Sequence, residues 1–147
     1  MKHLFTILTL CLAISLQAQN KPKEWIKKNK KGVVIEQGYH LKKKREGQWH
    51  FFYSDGRPSL KANYKGGLLH GESQRFDLQG NVIAILNYVN GVVEGKQTYF
   101  YPNGKVFSEG KMVDGKEEGA WKFYSQDGSF MGYVKYKNGK QLDEQTK

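Results

Sequence analysis

The sequence predicts an all-β protein: an elongated single-layer antiparallel meander of β-hairpin units that recur every 24 residues. Three observations carry this prediction. Glycine recurs at Gly47, Gly71, Gly95 and Gly119, again at Gly56, Gly80, Gly104 and Gly128, and a third time at Gly67, Gly91, Gly115 and Gly139. Aromatic and β-branched runs lie between these glycines, and such residues suit a pleated, half-buried surface. A helical period is missing beyond residue 18, apart from at most one turn around Trp25.

The second glycine closes Asp55-Gly56, Gln79-Gly80, Asn103-Gly104 and Asp127-Gly128, and the third closes Gly66-Gly67, Asn90-Gly91, Asp114-Gly115 and Asn138-Gly139. Asn-Gly and Asp-Gly tolerate positive φ at both central positions, so both series are expected to form type I′ hairpin turns. Gln48 to Tyr53 and Val82 to Tyr88 read as strands between them. A degenerate half unit spans 32–46, followed by units at 47–70, 71–94, 95–118 and 119–142 and a tail at 143–147. Two strands per unit and one for the half unit give about nine strands.

Five places after the leading glycine stand Phe52, Phe76, Phe100 and Tyr124; seventeen places after it stand Tyr64, Tyr88, Met112 and Tyr136. The segments Gly47 to Gly56 (GQWHFFYSDG) and Gly119 to Gly128 (GAWKFYSQDG), with the Tyr-x-Asn-Gly continuations at Tyr88 and Tyr136, resemble the MORN repeat in its bacterial variant. The resemblance covers roughly Gly32 to Lys140. It implies a twisted single-layer antiparallel sheet used as a scaffold or binding surface. Some bacterial relatives bear the label of toxin-antitoxin antitoxin, which adds an antitoxin-like neutralising role as an alternative. Ser73 and Gln97 depart from the pattern, standing where units one and four have Trp49 and Trp121, and Arg75 replaces an aromatic. These departures interrupt any continuous aromatic groove.

The N-terminus reads as an address. Met1, Lys2 and His3 precede a largely apolar run of eleven residues, Leu4 to Ile14, and Ser15 to Ala18 supply the small and polar residues of a cleavage region. Residues 1–18 are thus expected to be a secretory signal peptide, because a bilayer span needs about 20 apolar residues. The one cysteine, Cys11, follows Leu10 where a lipid-attachment site needs a small residue. Export places the mature chain in the periplasm or outside the cell, with envelope association as a further option. Cut after Ala18, it has 129 residues and no cysteine, so packing and pairing must hold it without disulfides.

The chain carries 24 Lys and Arg against 14 Asp and Glu, a net charge of +10. Its 20 aromatic residues exclude a disordered polyampholyte. Between Gln19 and Glu46 ten cations face three acids, whereas from Gly47 onward 13 cations face 11 acids. The excess belongs to one end, the basic lead-in of 19–31 and the half unit after it. Lys27, Lys28, Lys30, Lys31, Lys42, Lys43, Lys44 and Arg45 are the candidate contacts for an anionic partner such as envelope lipid, polysaccharide or an acidic protein. The same lysines equally suit a solvated tail and an edge strand kept from aggregating. Nucleic acid is a poor partner for an exported chain without a nucleic-acid motif.

No residue pattern points to catalysis. Gly110 to Lys116 has phosphate-loop spacing but is followed by Glu117, and both of its glycines belong to the repeat. His40, His50 and His70 occupy three different columns, so neither a metal nor a cofactor is expected. Trp49, Phe51, Tyr99, Trp121 and Phe123 are candidates for an aromatic binding face. They equally suit cross-strand packing, worth about 0.2–1 kcal/mol per pair. The sequence thus points to a non-enzymatic scaffold holding a protein partner through a sheet face or edge. Envelope association through the basic clusters is the alternative.

Overall fold

The computed structural model describes residues 21–146; the expected signal peptide lies outside them. The described residues form one open sheet of 12 antiparallel strands. They are β1 (Lys23–Lys28), β2 (Val34–Leu41), β3 (Lys44–Phe52), β4 (Pro58–Lys65), β5 (Leu68–Phe76), β6 (Val82–Val89), β7 (Val92–Val93), β8 (Gly95–Phe100), β9 (Val106–Val113), β10 (Lys116–Tyr124), β11 (Phe130–Lys137) and β12 (Lys140–Thr146). Strand order follows the chain, with the short β7 pairing β6 beside β8. Every substantial contact joins neighbouring strands, so among the described residues no second layer covers the sheet. The described residues contain no helix, and none is therefore long and apolar enough to cross a membrane.

Twelve strands replace the expected nine, and Trp25 lies on a strand where a helical turn was allowed. β1 occupies part of the stretch read as a lead-in, and β12 runs through residues 143–146 of the stretch read as a tail. Trp25 stands 24 residues before Trp49, and Gly32 stands 24 before Gly56. The repeat therefore starts one strand earlier than its glycines suggest, because Lys23 holds the place of the leading glycine.

The three glycine series have three different backbone tasks. The third series forms the expected type I′ turns, with positive φ at both Asn90 and Gly91, Asp114 and Gly115, Asn138 and Gly139, and Gly66 and Gly67. The second series does not. Only the glycine has positive φ, and Gly56, Gly80, Gly104 and Gly128 each donate to the carbonyl three residues back. These are type I turns closed by a left-handed glycine, steadied where Asp55, Asp77, Asn103 and Asp127 accept backbone N–H bonds. The leading glycines also have positive φ; Gly47, Gly71 and Gly119 lie in mid-strand, where pairing with the preceding strand breaks, and Gly95 opens β8.

One row of side chains crosses the sheet beside those breaks and supplies most of the core. Trp49, Ala62, Ser73, Leu86, Gln97 and Trp121 are all buried there. Trp49 pairs Ala62, Ala62 pairs Ser73, Ser73 pairs Leu86, and Gln97 pairs Gly110. The break leaves a backbone carbonyl open, and the row fills it. Trp49 Nε1 donates to the Tyr39 carbonyl at 3.1 Å, Trp121 Nε1 to that of Lys111 at 3.3 Å, and Gln97 Nε2 to that of Asn87 at 3.3 Å. Gln97 also accepts from the Asn87 N–H at 3.0 Å and donates to the Glu94 and Gly95 carbonyls. Its amide is wedged where the strands of other units run on, and there the strand divides into β7 and β8.

A fifth type I′ turn, between β2 and β3, has Lys42 and Lys43 at φ 51° and 65°. Lys43 holds the place that glycine takes in the other four, and a non-glycine residue there costs about 1 kcal/mol. Lys43→Gly is therefore expected to raise stability by about 1 kcal/mol in denaturant titration. An unchanged or lowered midpoint would mean that the turn carries no strain.

Candidate binding surface

The eight candidate cations do not form one patch. β1 and β2 make a hairpin about 20 Å long, with Lys30 and Lys31 in the turn at one end and Lys42 and Lys43 beyond the other. Lys30 and Lys31 flank a small depression with Val33 and Asp55. Lys27, Lys42, Lys43 and Arg45 instead line an open groove of about 1140 Å³, joined by Lys21, Lys23, Trp25 and His40. Enclosed small-molecule sites occupy about 300–1,000 Å³, so a larger, open groove suits a length of polymer. The Lys44 stem packs beside the turn glycine Gly67, away from this groove.

Arg45 is not a free cation. Its guanidinium carbon lies 4.7, 5.1 and 5.3 Å from the ring centres of Trp49, Phe51 and Tyr64, and it pairs with the Glu36 carboxylate. Its charge is thus satisfied within the sheet, and its removal would uncover the rings. His40 stands edge-on between Trp25 and Trp49, with ring centres 5.1 and 4.9 Å away. Register explains the cluster: Lys23 is opposite His40, Trp25 opposite Gly38 and Lys27 opposite Glu36. The result is an aromatic floor rimmed by lysines.

The candidate aromatic face is mostly packing. Trp49 is fully buried and Trp121 is 8% exposed, so neither presents a ring to a ligand. Phe51 stacks on Trp49 and Phe123 meets Phe107 edge-on. Tyr99 alone stays open, at 36%, with its ring centre 6.3 Å from that of Trp121. Burial, then the neighbouring Tyr88, pushes its phenol up. Sequence reasoning missed the open aromatics Tyr39, Phe107, Phe130 and Trp25; of these Trp25, 44% exposed beside Ile26 at 48%, lines the groove. Its 24-residue spacing from Trp49 was the available signal.

The carboxylates serve the backbone. Glu46, Glu94 and Glu118 accept from the first N–H of the following type I′ turn at 2.8, 2.8 and 3.0 Å. Bonds from Lys137 and from that turn amide hold Glu118 below the usual carboxylate range. Bonds from Lys96 and Tyr124 lower Glu109, and Ser125 and Ser129 take Asp127 down to about 2. Burial, then Lys61, lowers His50. Among the described residues no three His, Cys, Asp or Glu side chains gather as a metal-binding group.

Comparison with known families agrees with this architecture. The model of the MORN repeat variant matches residues 69–90 and 93–114. The two matches fall on successive repeats, from β5 to the turn after β6 and from β7 to the turn after β9. No curated protein matches the chain.

Proposed function

We propose that this chain, a protein of the MORN repeat family, is an exported, non-enzymatic scaffold that holds a partner protein at the N-terminal end of its sheet. The groove along β1 to β3 carries the proposal: it joins an exposed tryptophan to lysines from β1, from the residues just before it and from the turn after β2. Aromatic contacts supply affinity at low entropic cost, and the lysines select an acidic surface. Neutralisation of a toxic partner, as in the antitoxin-like alternative, is a particular case of the same binding.

Reversing Lys23, Lys42 and Lys43 to glutamate tests the proposal and leaves Arg45 in its structural place. Affinity capture from periplasmic and envelope fractions is expected to yield a partner protein with the parent chain. Recovery should fall tenfold or more with the variant or at high salt, because exposed charges are screened. Capture indifferent to both changes would exclude the groove. A second reading, anionic lipid or polysaccharide, draws on the same lysines. Binding to anionic vesicles or extracted polysaccharide, with no protein recovered, would favour it.

A further inference from the structure

Trp25 differs from its repeat counterparts in one respect: among the described residues it has no strand to lie on. Trp49 rests on Gly38 of the preceding strand, so closely that a Cβ there would stand 2.4 Å from the indole, and it donates to the adjoining Tyr39 carbonyl. Trp121 lies on Gly110 in the same way and donates to the Lys111 carbonyl. Trp25 occupies the same column on β1, but β1 is the outer strand among the described residues, and its indole remains 44% exposed. The chain's own upstream residues do not match this template. The residue 24 places before Gly38 is Ile14, not glycine.

The geometry points to the free edge of β1 as a docking site for an extended segment of a partner protein, with glycine opposite Trp25 and acidic residues two places to either side. This rests on the protein-partner reading above and specifies its chemistry. Strand addition supplies main-chain hydrogen bonds, and side chains alternating on one face supply selectivity. That face of β1 reads Lys23, Trp25, Lys27. Its inner side already displays the complementary pattern: Gly38 faces Trp25, and Glu36 faces Lys27. An incoming strand with glycine at the centre lets the indole settle on its backbone, and its flanking carboxylates meet Lys23 and Lys27. The lysines that deter an unselected edge thereby accept an acidic one.

The test uses the purified protein and a ten-residue peptide whose central glycine has glutamate two places before and after it. Backbone amide exchange of residues 23–28, followed by NMR, is expected to slow when the peptide is added. A peptide with valine at the centre should bind at least tenfold more weakly. Trp25→Ala should abolish that preference while β2 to β12 keep the amide protection of the parent, because the ring touches the rest of the sheet chiefly at His40. Equal binding of the glycine and valine peptides, binding without slowed exchange of the β1 amides that point away from β2, or protection of those outward amides in the free protein would overturn the proposal. A partner still captured by Trp25→Ala and lost on lysine reversal would leave the groove reading standing without the edge.

Discussion

Gly38→Ala is expected to cost about 3–5 kcal/mol, as much as removing the tryptophan it supports. The added Cβ would stand 2.4–2.6 Å from three atoms of the Trp49 ring, closer than carbon atoms approach one another. The ring has nowhere to go: it is fully buried, flanked by His40 and covered by Arg45. Expelling it opens the Arg45 cluster and breaks the bond to Tyr39. Gly110→Ala is expected to act likewise, with 2.2–2.5 Å approaches to Trp121. The two units between show how the protein accommodates a larger neighbour. Ala62 accompanies Ser73, and Leu86 accompanies Gln97, each smaller residue of the Trp column coupled to a larger residue on the preceding strand. Trp49→Ser in the Gly38→Ala background should therefore restore about 2 kcal/mol relative to the sum of the single changes. A double-mutant cycle by denaturant unfolding measures this, and strict additivity would show that the ring and the glycine are not coupled.

Gln97→Glu is expected to destabilise by about 3 kcal/mol or more near pH 7, with almost no change in volume. The Gln97 amide nitrogen donates to three carbonyls at 3.1–3.3 Å, and the side chain is 1% exposed. A carboxylate places a negative oxygen against those three carbonyls, out of water. Folding then favours the protonated acid, so the folded-state pKa rises above the free value of about 4.3. The sign follows: the variant's stability is fully present below pH 4.3 and is lost as pH rises through the elevated pKa. Melting of parent and variant at pH 5 and pH 7.5 should show the deficit growing with pH. A deficit independent of pH would assign the cost to packing.

These two sites also show how much of the fold was legible. The glycine columns disclosed repeat length, strand class and turn positions, since each marks a backbone conformation that few other residues adopt. Turn type was less accessible. Asp-Gly suits both a type I′ turn and a type I turn closed by glycine, and the choice depends on how the strands pair beyond it. Ser73 and Gln97 looked like breaks in an aromatic surface, yet they complement the volumes of Ala62 and Leu86. The pattern emerges only when each residue is set beside one on the preceding strand. Site residues were the least legible, because sequence adjacency is a poor guide to spatial grouping. Lys30 and Lys42 belong to opposite ends of one hairpin, while Trp25 and Arg45, 20 residues apart, line one groove.

Contact limited to neighbouring strands makes this sheet one-dimensional in energetic terms. A defect is felt about one hairpin away, and opening begins where a strand has support on one side only. Among the described residues β1 is such a strand. The end that bears the lysines and Trp25 is therefore among the first parts of the molecule to loosen and gains most from a strand laid against it. Occupancy there would be registered as rigidity, passed inward from hairpin to hairpin.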